Sequence, residues 1–120
     1  MMTTIKTYRD ILVWQKAMLL VNKIYKVTSN FPDTETFVLT SQLRRSAISI
    51  PSTIAESYGK RSPEDYLKLL NIALGSLFEF QTQIEIALNQ EYLNKQIFDL
   101  IYEDSRDIER MLTNLIRKLN

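Results

Sequence analysis

Seven apolar positions, Tyr66, Leu70, Ala73, Leu77, Phe80, Ile84 and Ala87, succeed one another at spacings that alternate between four and three residues. Only a helix of about 3.6 residues per turn gathers such positions onto one face. The result is a rod with an apolar seam along its length, and such a seam has to be covered by other elements. The chain supplies three more stretches of the same kind. Val13, Ala17, Leu20, Ile24 and Val27 form one stripe, with Trp14, Met18, Val21 and Tyr25 as a second stripe beside it. Leu43, Ala47, Ile50 and Ile54 form another. Ile97, Ile101, Ile108, Met111 and Leu115 mark the fourth, with Asp104 interrupting it.

Local signals bound these stretches. Thr7 with Asp10 three residues later resembles a capping box. Phe31-Pro32-Asp33 breaks the chain, and Asp33 or Thr34 can cap the second helix. Gly59 suits a helix end. Ser62, Pro63, Glu64 and Asp65 give the clearest start, a cap, then proline at the first helical position and acids against the helix dipole. Arg117 and Lys118 lie where cations favour a helix C-terminus. Helices are therefore expected over about 8–28, 34–58, 63–89 and 94–119. With only 2 Gly and 3 Pro in 120 residues, a turn-rich sheet protein is excluded. The expected fold is all-α, one domain over 1–120, an antiparallel up-down-up-down four-helix bundle.

Pro51 falls inside the second helix. It lacks an N–H and its ring meets the carbonyl of Ala47, at an ordinary cost of ~3 kcal/mol in a helix interior. One helix kinked at Pro51 is expected rather than two, with the Ser46 and Ser49 hydroxyls beside the loosened turn.

Composition removes several functions. The chain has no Cys and no His. Disulfides, thiolate metal sites, a cysteine nucleophile and the commonest general base are thereby absent. Di-metal bundles use a Glu-x-x-His on each of two helices. An all-carboxylate site would draw on Glu56, Glu79 and Glu85, which nothing in the sequence directs to one point. No glycine-rich phosphate loop is present. No enzyme activity, cofactor or metal is expected. No apolar run reaches the ~18 residues that span a bilayer, and the start lacks a signal-peptide core, so a cytoplasmic protein without a membrane partner is expected.

The net charge of +1 conceals an asymmetry. Residues 1–30 hold Lys6, Arg9, Lys16, Lys23 and Lys26 against Asp10 alone, whereas residues 63–90 hold Lys68 against Glu64, Asp65, Glu79 and Glu85. A near-zero total does not exclude an anionic partner.

The stretches YRDILVWQKA, LTSQLRRSAISIPSTIAES and LLNIALGSLFEFQTQIEIA resemble the small four-helix-bundle proteins encoded within intervening sequences of bacterial 23S ribosomal RNA genes. They also resemble the accessory protein of diversity-generating retroelements. The resemblance runs from Tyr8 into the fourth helix. It is densest over Gln42 to Ala47, Ser49-Ile50-Pro51 and Ile54-Ala55-Glu56, with Gly75-Ser76 and Glu79 as a second anchor. The family usually has Asn where Thr53 stands and Gly where Ser57 stands. The resemblance implies a bundle that assembles into ring-like homopentamers and associates with nucleic acid.

Against that background the charged residues have two readings each. Arg44 and Arg45 project ~100° apart on a helix. The structural reading pairs one of them with Glu56 or Glu79 at a helix or subunit boundary, and it is the commoner fate of a charge beside a core stripe. The functional reading gives Arg44 to phosphate and leaves Arg45, Pro51, Glu56, Gly75 and Glu79 as the structural motif. Arg9, Lys16 and Lys23 are seven apart, with Lys26 one turn further. On a helix they would form a cationic line, either an ordinary solvated face or, repeated around a homo-oligomer, a band that binds RNA or DNA through counterion release. The second apolar stripes are either a wide core or a subunit interface. Trp14 is expected buried, and Tyr8 and Tyr92, near helix ends, are expected free. A scaffold ring without nucleic acid is the alternative function.

Overall fold

A computed structural model describes residues 4–119. Four α-helices account for most of the chain: α1 Leu12–Thr28, α2 Leu39–Tyr58, α3 Pro63–Asn89 and α4 Lys95–Leu119. Two one-turn 3-10 helices, Tyr8–Asp10 and Asp33–Glu35, precede α1 and α2, and no strand occurs among the described residues. Helix α1 packs on α2 and α4, and α3 packs on α2 and α4, so each long helix has two helical neighbours. The molecule is elongated, 44 × 29 × 23 Å.

One core runs through all four helices. Val13, Ala17, Leu20 and Ile24 of α1 meet Leu43, Ala47, Ile50 and Ile54 of α2 and Leu70, Ala73, Leu77, Phe80, Ile84 and Ala87 of α3. The α4 contribution differs from the sequence expectation. Its buried face is Phe98, Ile101, Ser105, Ile108 and Leu112, and Ile97 is exposed. The helical period holds, but the core position next to Asp104 is filled by a serine. Ser105 is 0% exposed. Its hydroxyl donates to the Tyr102 carbonyl (2.6 Å) and accepts from Gln81 Nε2 (3.2 Å), so its burial leaves no polar atom unpaired.

Two helix starts lie later than expected. Thr7 and Asp10 do form a capping box, but it closes the 3-10 turn Tyr8–Asp10, and Ile11, extended at φ −75°, ψ 119°, separates that turn from α1. Asp33–Glu35 likewise curls into a 3-10 turn, and Val38 at φ −119°, ψ −99° delays α2 to Leu39. In the first place the Asp10 carboxylate caps a tight local turn before the long helix begins; in the second the turn has no side-chain cap, and the Glu35 carboxylate accepts from the Leu39 amide at 3.3 Å. Helix α3 starts on Ser62, whose hydroxyl accepts from the Asp65 amide, with Pro63 in the first turn. Its other end is closed by two backbone bonds, Tyr92 N–H to the Ala87 carbonyl and Glu91 N–H to the Leu88 carbonyl, both 2.9 Å. This Schellman pattern places Glu91 in the left-handed region, φ 64°, where glycine is usual.

Helix α2 continues through Pro51, which is buried. The serines beside it serve another purpose than the one expected. Ser46 donates to Gln83 Oε1 (2.7 Å) and Ser49 shares a hydrogen bond with Ser76 (2.8 Å), so both tie α2 to α3. Thr53 and Ser57, where the resembling family carries Asn and Gly, are also buried, and the Ser57 hydroxyl donates to the Ile54 carbonyl at 2.6 Å.

Candidate nucleic-acid interface

The arginine pair separates as its ~100° offset requires, but neither member joins Glu56 or Glu79 in an ion pair. Arg44 is half-buried and reaches α1. Its Nε donates to Thr28 Oγ1 at 2.8 Å, its Nη2 donates to the Tyr25 carbonyl at 3.4 Å, and the guanidinium lies 4.4 Å from the Tyr25 ring centroid. The Thr28 hydroxyl donates in turn to the Ile24 carbonyl at 2.6 Å. A cation thus sits on the C-terminal turn of α1, where the dipole is negative, and adds a contact to the Tyr25 carbonyl that the Ser29 amide also reaches. An acidic partner was expected from the sequence; carbonyls at a helix end carry no side-chain signature that could have pointed to them instead. Arg45 faces outward beside Thr36, Phe37, Thr40 and Ser41. Glu56 and Glu79 are exposed, and Glu79 accepts only a long contact from Gln83, 3.5 Å.

The cationic line on helix one is broken. Arg9 belongs to the 3-10 turn, so its seven-residue spacing to Lys16 is not a helical register. Lys16 is exposed on α1. Lys23 Nζ lies 2.5 Å from Asp104 Oδ2 of α4, and this pair bridges the two helices beside the exposed Leu100 and Ile97. The residue expected to interrupt the α4 stripe therefore neutralises one of the proposed phosphate contacts. Lys26 is exposed and shares the rim of a groove with Glu91, Asn94 and Lys95 at the end of the molecule where α1 and α3 finish and α4 begins.

At the other end, residues that no sequence pattern groups come together. Ile5, Tyr58, Lys60, Arg61, Tyr66, Leu115 and Leu119 line a single groove, and the Tyr58 hydroxyl donates to the Lys6 carbonyl at 3.0 Å. The adjacent Lys60 and Arg61 were the available signal, since two neighbouring cations in a short connection between helices stay at the surface. The Asp10 carboxylate pins the same N-terminal segment, accepting from the Lys6 amide (2.8 Å) and the Thr7 amide (3.1 Å), and these bonds hold its pKa below the ordinary aspartate value of 3.8. Burial pushes the Tyr66 phenol above its ordinary value of 10.0.

The aromatic residues also depart from expectation. Trp14 is half-buried and carries Tyr8 edge-on at 5.2 Å. Tyr92 is not free, because its hydroxyl donates to Glu35 Oε2 at 2.8 Å and its ring packs on Phe31 at 5.5 Å. Tyr8, Trp14, Met18, Val21, Tyr25, Ile48 and Pro51 together form an open apolar surface between α1 and α2. Among the described residues no three metal-ligating side chains converge, and no helix is long and apolar enough to cross a membrane.

An all-α protein of four long helices, with apolar surface left open beside α1, is the class these features define. The chain belongs to the 23S rRNA-intervening sequence protein family, whose model matches residues 9–114. It is similar to a crystal structure from Bacteroides thetaiotaomicron VPI-5482, a protein of unknown function from the S23 ribosomal protein family. That similarity has a TM-score of 0.79 and 30% identity, and covers 88% of this chain and 98% of the other. None of the curated proteins matches this chain.

Proposed function

We propose that this protein is a non-enzymatic, homo-oligomeric bundle that binds nucleic acid, ribosomal RNA or a related RNA or DNA, through basic surface repeated around the assembly. In this reading the four helices run up-down-up-down and antiparallel, α2 kinks at Pro51, and the subunits close a cytoplasmic ring, a homopentamer as the family resemblance implies. The observation that carries it is the exposure of Arg9, Lys16, Lys26 and Arg45 outside the intramolecular ion pairs. An exposed cation that no intramolecular ion pair engages is available to a phosphate, and each contact gains from counterion release. The family's name supplies the ribosomal RNA side of the proposal.

Self-association draws support from two separate apolar surfaces. One lies between α1 and α2 around Trp14, Met18 and Tyr25, the other between α1 and α4 around Val27, Ile97 and Leu100. A head-to-tail ring needs two different complementary faces on each subunit. The same surfaces favour the second reading, a scaffold ring with a protein partner and no nucleic acid.

The test is fluorescence-anisotropy binding to a 23S ribosomal RNA fragment and to random duplex DNA at low and physiological salt, on protein whose mass is measured by light scattering. Salt-sensitive binding by an oligomer is expected. An intact oligomer that binds neither probe at low salt refutes the nucleic-acid reading in favour of the scaffold, and a monomer refutes both ring readings.

A further inference from the structure

The sequence places the positive charge in residues 1–30, but the fold redistributes it. Lys6, Lys60, Arg61, Arg117 and Lys118 come from three separate segments: the N-terminal stretch, the connection between α2 and α3, and the last turn of α4. The groove lined by Ile5, Tyr58, Lys60, Arg61, Leu115 and Leu119 places these segments side by side, and the bond from Tyr58 to the Lys6 carbonyl fixes the first of them. All five cations are exposed, and none is in an ion pair among the described residues. The acids at this end are fewer. The Asp10 carboxylate is taken up by two backbone amides, and Glu64 and Asp65 lie in the first turn of α3, where the helix dipole already favours them. Glu56 is exposed one turn back along α2. At the opposite end the Lys26 groove is lined by Glu91, its Tyr92 donates to Glu35, and its Lys95 Nζ is engaged by Asp99 at 2.5 Å.

The groove at the basic end has a volume of about 420 Å³ and a floor of Ile11, Tyr66 and Leu115 between the cations. A positive rim over an apolar, aromatic floor is the chemistry that takes single-stranded nucleic acid, with phosphates on the rim and an unpaired base against the floor. A duplex offers only its backbone to such a surface, because its bases are stacked away.

We propose that the nucleic acid docks at this end of the molecule, as a single strand across the Lys60–Arg61 connection, rather than along α1. The assignment rests on the nucleic-acid reading above and relocates its site. Lys16 and Lys23 of α1 are then bystanders, and Lys23 is already held by Asp104.

The experiment compares wild type, the pair Lys60→Gln/Arg61→Gln and the pair Lys16→Gln/Lys23→Gln. The probes are a fluorescein-labelled 12-nucleotide oligouridylate and a labelled RNA duplex, titrated between 50 and 200 mM salt. All substituted residues are exposed, so circular dichroism and light scattering are expected to match wild type. Single-strand binding contributes a slope of about −0.7 in log K against log salt per phosphate contact. Neutralising Lys60 and Arg61 should flatten the oligouridylate slope by about 1.4 for each site occupied, whereas the α1 pair should leave it unchanged. Wild type should prefer the oligouridylate to the duplex. A Lys60/Arg61 variant indistinguishable from wild type, or a wild type that prefers the duplex, overturns the assignment and leaves the nucleic-acid reading standing. A wild type that binds neither probe at 50 mM salt overturns both.

Discussion

Gly75 stands near the middle of α3, a helix of 27 residues. Its φ is not positive and a Cβ built on it meets nothing within 4 Å. Neither backbone conformation nor space inside the subunit demands glycine there. Glycine in a helix interior costs ~1 kcal/mol relative to alanine, because the unfolded chain has more freedom to lose. Gly75→Ala should therefore stabilise the subunit by ~1 kcal/mol, which corresponds to about 4 °C in melting temperature for a domain of this size. In urea the midpoint should rise by roughly 0.5 M with the slope unchanged. Light scattering across a concentration series should give the same mass for both proteins, since the apolar surfaces assigned to self-association lie beside α1. A lower mass would move a subunit contact onto α3, where Phe78, one turn from Gly75, is 46% exposed. A fall in stability at unchanged mass would refute the reasoning, because it would mean that the space beside Gly75 is filled within the subunit.

Arg44→Ala should cost about 2 kcal/mol, from one charge-assisted hydrogen bond and the stacking on Tyr25, and Arg44→Lys should recover only part of it, since a lysine has no Nε to reach Thr28. Double-mutant cycles with Thr28→Val isolate that bond, and an additive result would show that the two side chains do not couple. Leu77→Ala, fully buried in α3, should cost ~2–5 kcal/mol in chemical denaturation, and a cost below about 1 kcal/mol would mean the core is not closed there. The N-terminal segment should loosen in acid. Asp10 has a folded-state pKa lowered from 3.8 by the Lys6 and Thr7 amides, so its contribution is present above 3.8 and is lost as pH falls through the lower, folded value. Protection of the Lys6 and Thr7 amides, taken relative to their intrinsic exchange rate at each pH, should fall over that window in the wild type and be lost at all pH values in Asp10→Ala; protection that does not change with pH in the wild type would refute the clamp.

The residues that carry periodicity state their place in the sequence, and those whose partners are backbone do not. Leu70, Ala73, Leu77, Phe80 and Ile84 are buried because nothing but a helix seam can explain their spacing. Ser62 and Pro63 announce the start of α3 for an equally local reason. The start of α1 was not legible, since a capping box is satisfied by a single 3-10 turn as well as by a long helix, and the start of α2 was not, since neither Asp33 nor Thr34 caps it. The α4 face departs from its apolar pattern at Ser105, a core position that works only because Gln81 and the Tyr102 carbonyl complete its hydrogen bonds. Arg44 was legible as a charge that needs a partner, but its partners are the Thr28 hydroxyl and a carbonyl of α1. Of the cations on helix one, the register of Arg9 and the partner of Lys23 both depended on contacts that spacing cannot express.

The electrostatics have the same limit. Summed along the chain, charge is a property of segments, and by that measure residues 1–30 are the basic part. Summed in space, charge is a property of ends and faces, and connectivity decides which segments share one. The α2–α3 connection brings Lys60 and Arg61 to the groove where the start of the chain and the last turn of α4 also arrive. Asp104, far along the chain from Lys23, cancels one charge of the basic segment. A molecule with a formal charge of +1 thus carries at one end five exposed cations outside the intramolecular ion pairs of the described residues, with four acids near them. Interactions between exposed charges fade beyond ~8–10 Å at physiological salt, a small fraction of the 44 Å length. An approaching polyanion therefore responds to the end it meets and not to the total. In a ring whose axis runs along the bundles, every subunit would present that end in the same direction and the cations would gather on one rim. On that geometry binding should saturate at one face of the ring.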